Sequence, residues 1–174
     1  MTNWLLRTFI KNSDHPEDPK VRAAVGILSG IVGILCNILL FGGKLAVGLL
    51  TRSVSITADA MNNLSDATSS VVTMLGFRLA ERPADEEHPF GHARYEYLSG
   101  LAVSALILII GVELAKSSLD KVLHPAAVEF GWTTAAVLAG SILVKLWMSL
   151  FNTKLGKTIH SATLAATAAD SRND

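Results

Sequence analysis

The chain has a single cysteine, Cys36, which excludes an internal disulfide and a thiolate cluster for metal. It has no surplus of either charge. Fifteen basic residues stand against fifteen acidic ones, whereas a nucleic-acid partner needs a basic excess. No glycine-rich phosphate loop, serine-nucleophile elbow or HExxH run occurs, so the chain is not expected to be an enzyme and no cofactor is implied. A cleavable leader is missing as well. Residues 1–22 carry Arg7, Lys11, Lys20 and Arg22 but also Asp14, Glu17 and Asp18, around a short apolar core. Within them Trp4, Leu5, Leu6, Phe9 and Ile10 fit either a brief amphipathic segment at a membrane surface or a disordered tail.

What the sequence has instead is apolar residues gathered into blocks. Half of it is hydrophobic and 17% is charged, a balance that points to a lipid bilayer as solvent. A bilayer core about 30 Å thick needs roughly 20 residues of helix. Four blocks are long enough: Ala23–Leu50, interrupted by Asn37 and Lys44; Ser53–Leu79; Tyr95–Leu119; and Trp132–Phe151, with Lys145 near one end. A fifth, Thr158–Asp174, runs to the last residue. The expected fold is therefore an all-α transmembrane bundle over residues 23–174, with residues 1–22 outside it. The links are Thr51-Arg52, Arg82–Arg94, Lys121–Gly131 with Pro125 as a breaker, and Asn152–Lys157. Arg7, Lys11, Lys20, Arg22, Arg78, Arg82, Arg94, Lys154 and Lys157 fall on one side of this arrangement, and Arg52, Lys116 and Lys121 on the other. The richer side, with the N-terminus, is the expected cytoplasmic one.

Two of the blocks carry acid, which is expensive inside a membrane and marks function by default. In the second, Ser55, Asp59, Asn62, Asp66, Ser69 and Thr73 recur at helical spacing. In the fifth, His160, Thr163, Thr167, Asp170 and Asp174 do the same. Asn62 and Asp66, like Asp170 and Asp174, are one helical turn apart and share a face. The two spans run in opposite directions, so the pairs can meet near the midplane. Three carboxylates and an amide there would form an all-oxygen cation site; a hydrogen-bonded helix interface is the plainer alternative. Asp59 extends the stripe outward, either as an accessory group or as a partner of Lys44 or Arg52. Asn63 points off the stripe and reads as a packing hydrogen-bonder. A second cluster, Asp85-Glu86-Glu87-His88-Pro89-Phe90-Gly91-His92, has the side chains for a transition-metal site but the composition of a solvated acidic turn.

Three runs resemble the cation diffusion facilitator family, and its manganese exporters in particular. They are Lys44 with Gly48–Asp66, His88–Glu96, and Ala169–Asp174, in the family's order. The resemblance covers the chain from about Val21 onward. It implies proton-coupled efflux of a divalent metal by a homodimeric protein in a membrane, the plasma (inner) membrane of a bacterium being the expected one. It also implies six membrane helices and a cytoplasmic metallochaperone-like domain. The sixth helix and that domain are absent from the sequence, which reads as a fragment. By motif, the resemblance assigns Asn62, Asp66, Asp170 and Asp174 to the transport site and Asp85, His88 and His92 to a second metal site. Zinc-type members have histidine in the quartet and this chain has none. Manganese is therefore the expected cargo, with zinc, iron, cobalt or cadmium as alternatives, protons as the exchanged ion and oxygen-donor chemistry as the reason. A metal-binding membrane module without transport is the rival reading, and an intramembrane aspartyl hydrolase a distant third.

Overall fold

The computed structural model describes residues 10, 17–124 and 131–174, with the side chain of Lys121 left aside. Among these, five helices and no strands occur: α1 (Pro19–Leu50), α2 (Val54–Ala80), α3 (Tyr95–Leu123), α4 (Trp132–Ile159) and α5 (Ala162–Asn173). They form an all-α membrane bundle.

Local chemistry sets the ends. The Asp18 side chain accepts from the Lys20 N–H at 2.9 Å and Pro19 opens α1 with its ring-fixed φ. Ser53 and Ser161 cap α2 and α5, accepting from Ile56 and Leu164 N–H groups. The two tight turns, between α1 and α2 and between α4 and α5, each hold one residue in the left-handed region, Arg52 (φ 54°) and His160 (φ 50°). α1 and α2 lie along each other as a hairpin with little between them. A Cβ on Gly26 would enter the Phe77 ring, one on Gly30 would meet Met74, and one on Gly33 would meet Ser70. Small residues at such spacing allow the close backbone approach on which helix association in lipid depends.

The bundle is polar within and apolar without. Asn37, Asn63, Ser69, Ser70, Thr73, Ser141, Ser149 and Asn152 are buried, whereas Leu39, Leu101, Leu108, Leu143 and Leu150 face outward. That inversion suits lipid, which gives no hydrophobic reward for burying leucine. α1, α3 and α4 contain stretches long and apolar enough to cross a membrane. α2, at 27 residues, is long enough to cross but carries the polar stripe and is less apolar than those three.

One end of the bundle is tied by an apolar cluster and a charged knot. Val21, Val25, Phe77, Phe151, Leu155, Ile159 and Leu164 pack together with Ile10. Beside them Arg22 grips the Glu96 carboxylate with two nitrogens, at 2.6 and 2.7 Å, and donates to the Ile159 carbonyl. Ser161 donates to the same carboxylate at 2.7 Å, and Thr163 donates to the Glu96 carbonyl at 2.9 Å. α1, α3 and the α4–α5 turn thus share one fully engaged carboxylate, which fixes the angle at which α5 enters.

Several boundaries differ from the sequence reading. α1 begins at Pro19, before Ala23, and α3 continues to Leu123, past Leu119. The expected link Asn152–Lys157 is helical, because α4 runs on to Ile159 and α5 starts at Ala162 rather than Thr158. Polar side chains misled there: Asn152 is buried, and its Oδ1 accepts from Ser29 on α1 at 2.7 Å. His160 consequently leaves the α5 face and closes α4 from an exposed position. Of the proposed amphipathic segment, Ile10 packs in the core; Trp4, Leu5, Leu6 and Phe9 lie outside the described residues, as does Pro125.

Glu96→Gln keeps the shape of the knot and removes its charge. Hydrogen bonds to charged groups contribute about 1.5–3 kcal/mol, and a loss of that size is expected in detergent denaturation. Unchanged stability would mean that the knot does not hold the bundle.

Candidate metal centre

The centre is assembled from the middle of α2 and the far end of α5. The α2 stripe and, without His160, the α5 stripe survive folding, since α2 and α5 are uninterrupted across Asn62–Asp66 and Asp170–Asn173. One carboxylate oxygen from each of Asp66, Asp170 and Asp174 can be chosen so that all three lie within 4.8 Å of one another. Asp66 is buried and Asp170 half-buried. Asn62 joins them, its amide nitrogen donating to Asp174 Oδ1 at 3.4 Å. To serve as a ligand its amide would turn to present oxygen, a side-chain rotation only. The four residues read from the two stripes are thus brought to one place.

A fifth residue stands among them. Lys145 on α4 places its ammonium 2.6 Å from Asp66 Oδ2 and 2.6 Å from Asp174 Oδ2, with only 7% of its side chain exposed. The sequence puts this lysine near one end of a span ending at Phe151, whereas α4 runs on to Ile159 and sets it mid-helix. A usable signal was present, since Ser141, Lys145, Ser149 and Asn152 recur at helical steps and all four are buried. Ser149 uses that face to donate to the Ala168 carbonyl of α5 at 2.8 Å.

Asp59 lies apart from the three-carboxylate group. Its Oδ2 pairs with Lys44 Nζ at 2.7 Å, and the lysine side chain is 6% exposed while that of Asp59 is 37% exposed. Of the two basic partners considered for it, Lys44 is therefore the one the fold supplies. A cleft of about 220 Å³ opens beside the centre, lined by Lys44, Asp59, Asn62, Asn63, Ser141, Lys145 and Asp174, among others. Asn63 Nδ2 donates to the Asp59 carbonyl at 2.9 Å, but its Oδ1 and the Ser141 hydroxyl are buried without a partner among the described residues. Unpaired buried oxygens are uncommon and suit a place where a cation or its water passes.

The second cluster forms in the turn between α2 and α3. Asp85 Oδ1 accepts the His88 N–H at 2.7 Å and lies 3.2 Å from His88 Nδ1; Asp85 Oδ2 is 3.4 Å from His92 Nε2. Hydrogen bonding from the His88 backbone holds the Asp85 carboxyl below its usual range. His92 is buried, stacks on Tyr95, and its Nδ1 faces the Pro83 carbonyl at 3.0 Å. With the proton on Nδ1, Nε2 keeps a lone pair directed at Asp85, the orientation a metal ligand needs. Gly91 makes the turn, at φ 78°. One ligand atom from each of Asp85, His88 and His92 falls within the same 4.8 Å limit.

The sequence is similar to that of several known proteins. Residues 30–174 match the family model described as the cation efflux transmembrane domain. The chain is 31% identical over 149 residues to the manganese efflux system protein MneS of Bacillus subtilis, covering 86% of this chain and 51% of that one. It is 34% identical over 150 residues to the uncharacterized transporter YdbO of the same organism, with the same 86% and 51% coverage. To the manganese efflux system protein MneP, also of Bacillus subtilis, it is 27% identical over 145 residues, or 83% of this chain and 48% of the relative. The chain thus spans about half the length of these relatives. No solved structure matches it.

The Asp66–Lys145 pair should be energetically coupled. A double-mutant cycle of Asp66→Ala and Lys145→Met in metal-free protein is expected to give a coupling energy of about 1–3 kcal/mol, as for contacting groups in one charged network. Additive effects on denaturation would show that the two groups do not depend on each other.

Proposed function

The chain belongs to the cation efflux family, and from that premise we propose that its protein is an integral membrane exporter that exchanges a divalent cation for protons. The observation that carries this reading is the convergence of Asp66, Asp170 and Asp174, from two helices, on a point inside a membrane bundle. Carboxylates brought together in lipid need a counter-cation. A divalent ion held by them, by the Asn62 amide and by water would satisfy that need. Protons are the natural exchange ion, because coupled carboxylates titrate as a group and can trade a metal for hydrogen ions.

Manganese is the favoured cargo. Three carboxylates and an amide are hard oxygen donors, which suit manganese and leave zinc without its preferred nitrogen or sulfur. Zinc outbinds manganese at a given site in the general order, so selectivity would rest on geometry. Room for additional ligands beside Asn63 and Ser141 favours the higher coordination of manganese. Relatives named as manganese efflux proteins support the same assignment. The distribution of basic residues supports a cytoplasmic N-terminus, with α5 entering from inside and, in the proposed cycle, the site opening alternately to the two faces. A homodimer in a bacterial plasma membrane fits the family resemblance.

The turn cluster is proposed as a secondary site. Its imidazoles suit softer ions than the membrane centre does, and it lies outside the bundle's polar interior.

Two measurements test these readings. Expression of the full-length protein in a metal-sensitive host, with manganese, zinc, iron and cobalt titrated separately, should rescue growth on manganese; rescue on zinc alone would overturn the cargo. In proteoliposomes carrying a proton gradient, Asp66→Ala should abolish manganese flux, whereas His88→Ala with His92→Ala should lower bound metal yet retain flux. Loss of all flux in a folded histidine double variant would make the turn cluster part of the transport path.

A further inference from the structure

We propose that Lys145 is a built-in counter-cation that occupies the metal's place in the empty centre and must yield when the metal binds. The inference rests on the reading of Asp66, Asp170 and Asp174 as the metal-binding group. Its physical basis is position. The ammonium lies between Asp66 and Asp174, at 2.6 Å from one oxygen of each, where an ion coordinated by both would also have to lie. Two cations cannot share that space, and Coulomb repulsion between them is strong in a poorly screened interior.

Charge counting points the same way. Asp66, Asp170 and Asp174 carry three formal negative charges and Lys145 one positive charge, leaving two negative, the charge that one divalent ion cancels. The nearby Lys44 is already paired with Asp59 and is not free to take over. A carrier must also return after releasing its ion. Without Lys145 the emptied centre would keep all three negative charges in a medium where each is costly. With Lys145 one of the three is compensated by a tethered cation that never leaves the protein. The lysine thus weakens metal affinity in order to make release and return possible, an exchange expected where each cycle ends with an empty site.

The cleft provides somewhere for the ammonium to go. The buried, unpartnered Ser141 hydroxyl lies one helical turn before Lys145, and the unpartnered Asn63 Oδ1 lines the same space. Both are acceptors that a displaced ammonium can use.

The test is manganese binding to the full-length protein in detergent, by calorimetry, for the unaltered protein, Lys145→Met, Lys145→Arg and Asp66→Ala. Lys145→Met should bind Mn²⁺ at least about tenfold tighter, since a charge competing at hydrogen-bond distance has been removed. Its flux in proteoliposomes should fall because the ion is held. Lys145→Arg, which keeps the charge, should bind no tighter than the unaltered protein. The rise in melting temperature on adding Mn²⁺ should be larger for Lys145→Met than for the unaltered protein. A Lys145→Met protein that folds only when Mn²⁺ is present would support the proposal, the metal then replacing the ammonium. Equal or weaker affinity in Lys145→Met overturns it, as does failure of this variant to fold even with Mn²⁺. Should Asp66→Ala bind Mn²⁺ as well as the unaltered protein does, the metal-site reading itself fails. If Asp66→Ala loses binding while Lys145→Met is unchanged, only the role given to Lys145 falls.

Discussion

A carboxylate buried in a membrane must have a cation, and in this protein the cation is a lysine from another helix. Lys145 of α4 joins Asp66 of α2 to Asp174 at the end of α5. Breaking such a contact leaves a charge in a medium that cannot solvate it. That penalty, more than any gain from the pair itself, is what makes three helices keep one register. The rest of the bundle can be understood as serving it. Glycines on α1 let α2 approach closely, and Ser149 of α4 holds the Ala168 carbonyl of α5. Apolar side chains turn outward, because lipid accepts them without cost.

One end of the bundle and its middle are built differently. Where α1 begins and α4 ends, packed aromatic and aliphatic side chains surround the Arg22–Glu96 pair, and the lone pairs of Glu96 are taken up by Arg22, Ser161 and Thr163. A network satisfied to this degree has little reason to rearrange. Around the centre the opposite holds. Asn63 and Ser141 keep buried oxygens without partners, and Lys145 serves two acids at once. A fully engaged end thus stands beside an incompletely satisfied middle, a division that suits the proposed exchange of ions.

The two acid-containing clusters differ in the same physical way. The candidate membrane centre has oxygen donors and a tethered ammonium, with Asp66 buried and Asp174 at its exposed edge. The turn has one exposed carboxylate and two imidazoles, one of them fixed by a backbone carbonyl. The first is suited to an ion that must be let go, and the second to one that can be kept.

The sequence by itself determined the class of structure and the members of both clusters. Long apolar blocks admit only helices in lipid, and acids one turn apart must share a face whatever surrounds them. Asn62, Asp66, Asp170 and Asp174 were legible for that reason, whereas Asp85, His88 and His92 were picked out of an acidic turn only by the family resemblance. Helix ends were less legible, because Asn152 looks like a link residue and becomes an interior one only when Ser29 of α1 stands opposite it. The same limit hid the role of Lys145. Helical spacing fixes which face a side chain is on, but not which helix that face meets. Asp59 had two basic residues to choose from, and Lys145 had no partner in view at all. Only the packing of α1 against α2 decided that Lys44 would take Asp59, and only the placement of α4 along α5 decided that Lys145 would stand inside the candidate metal centre.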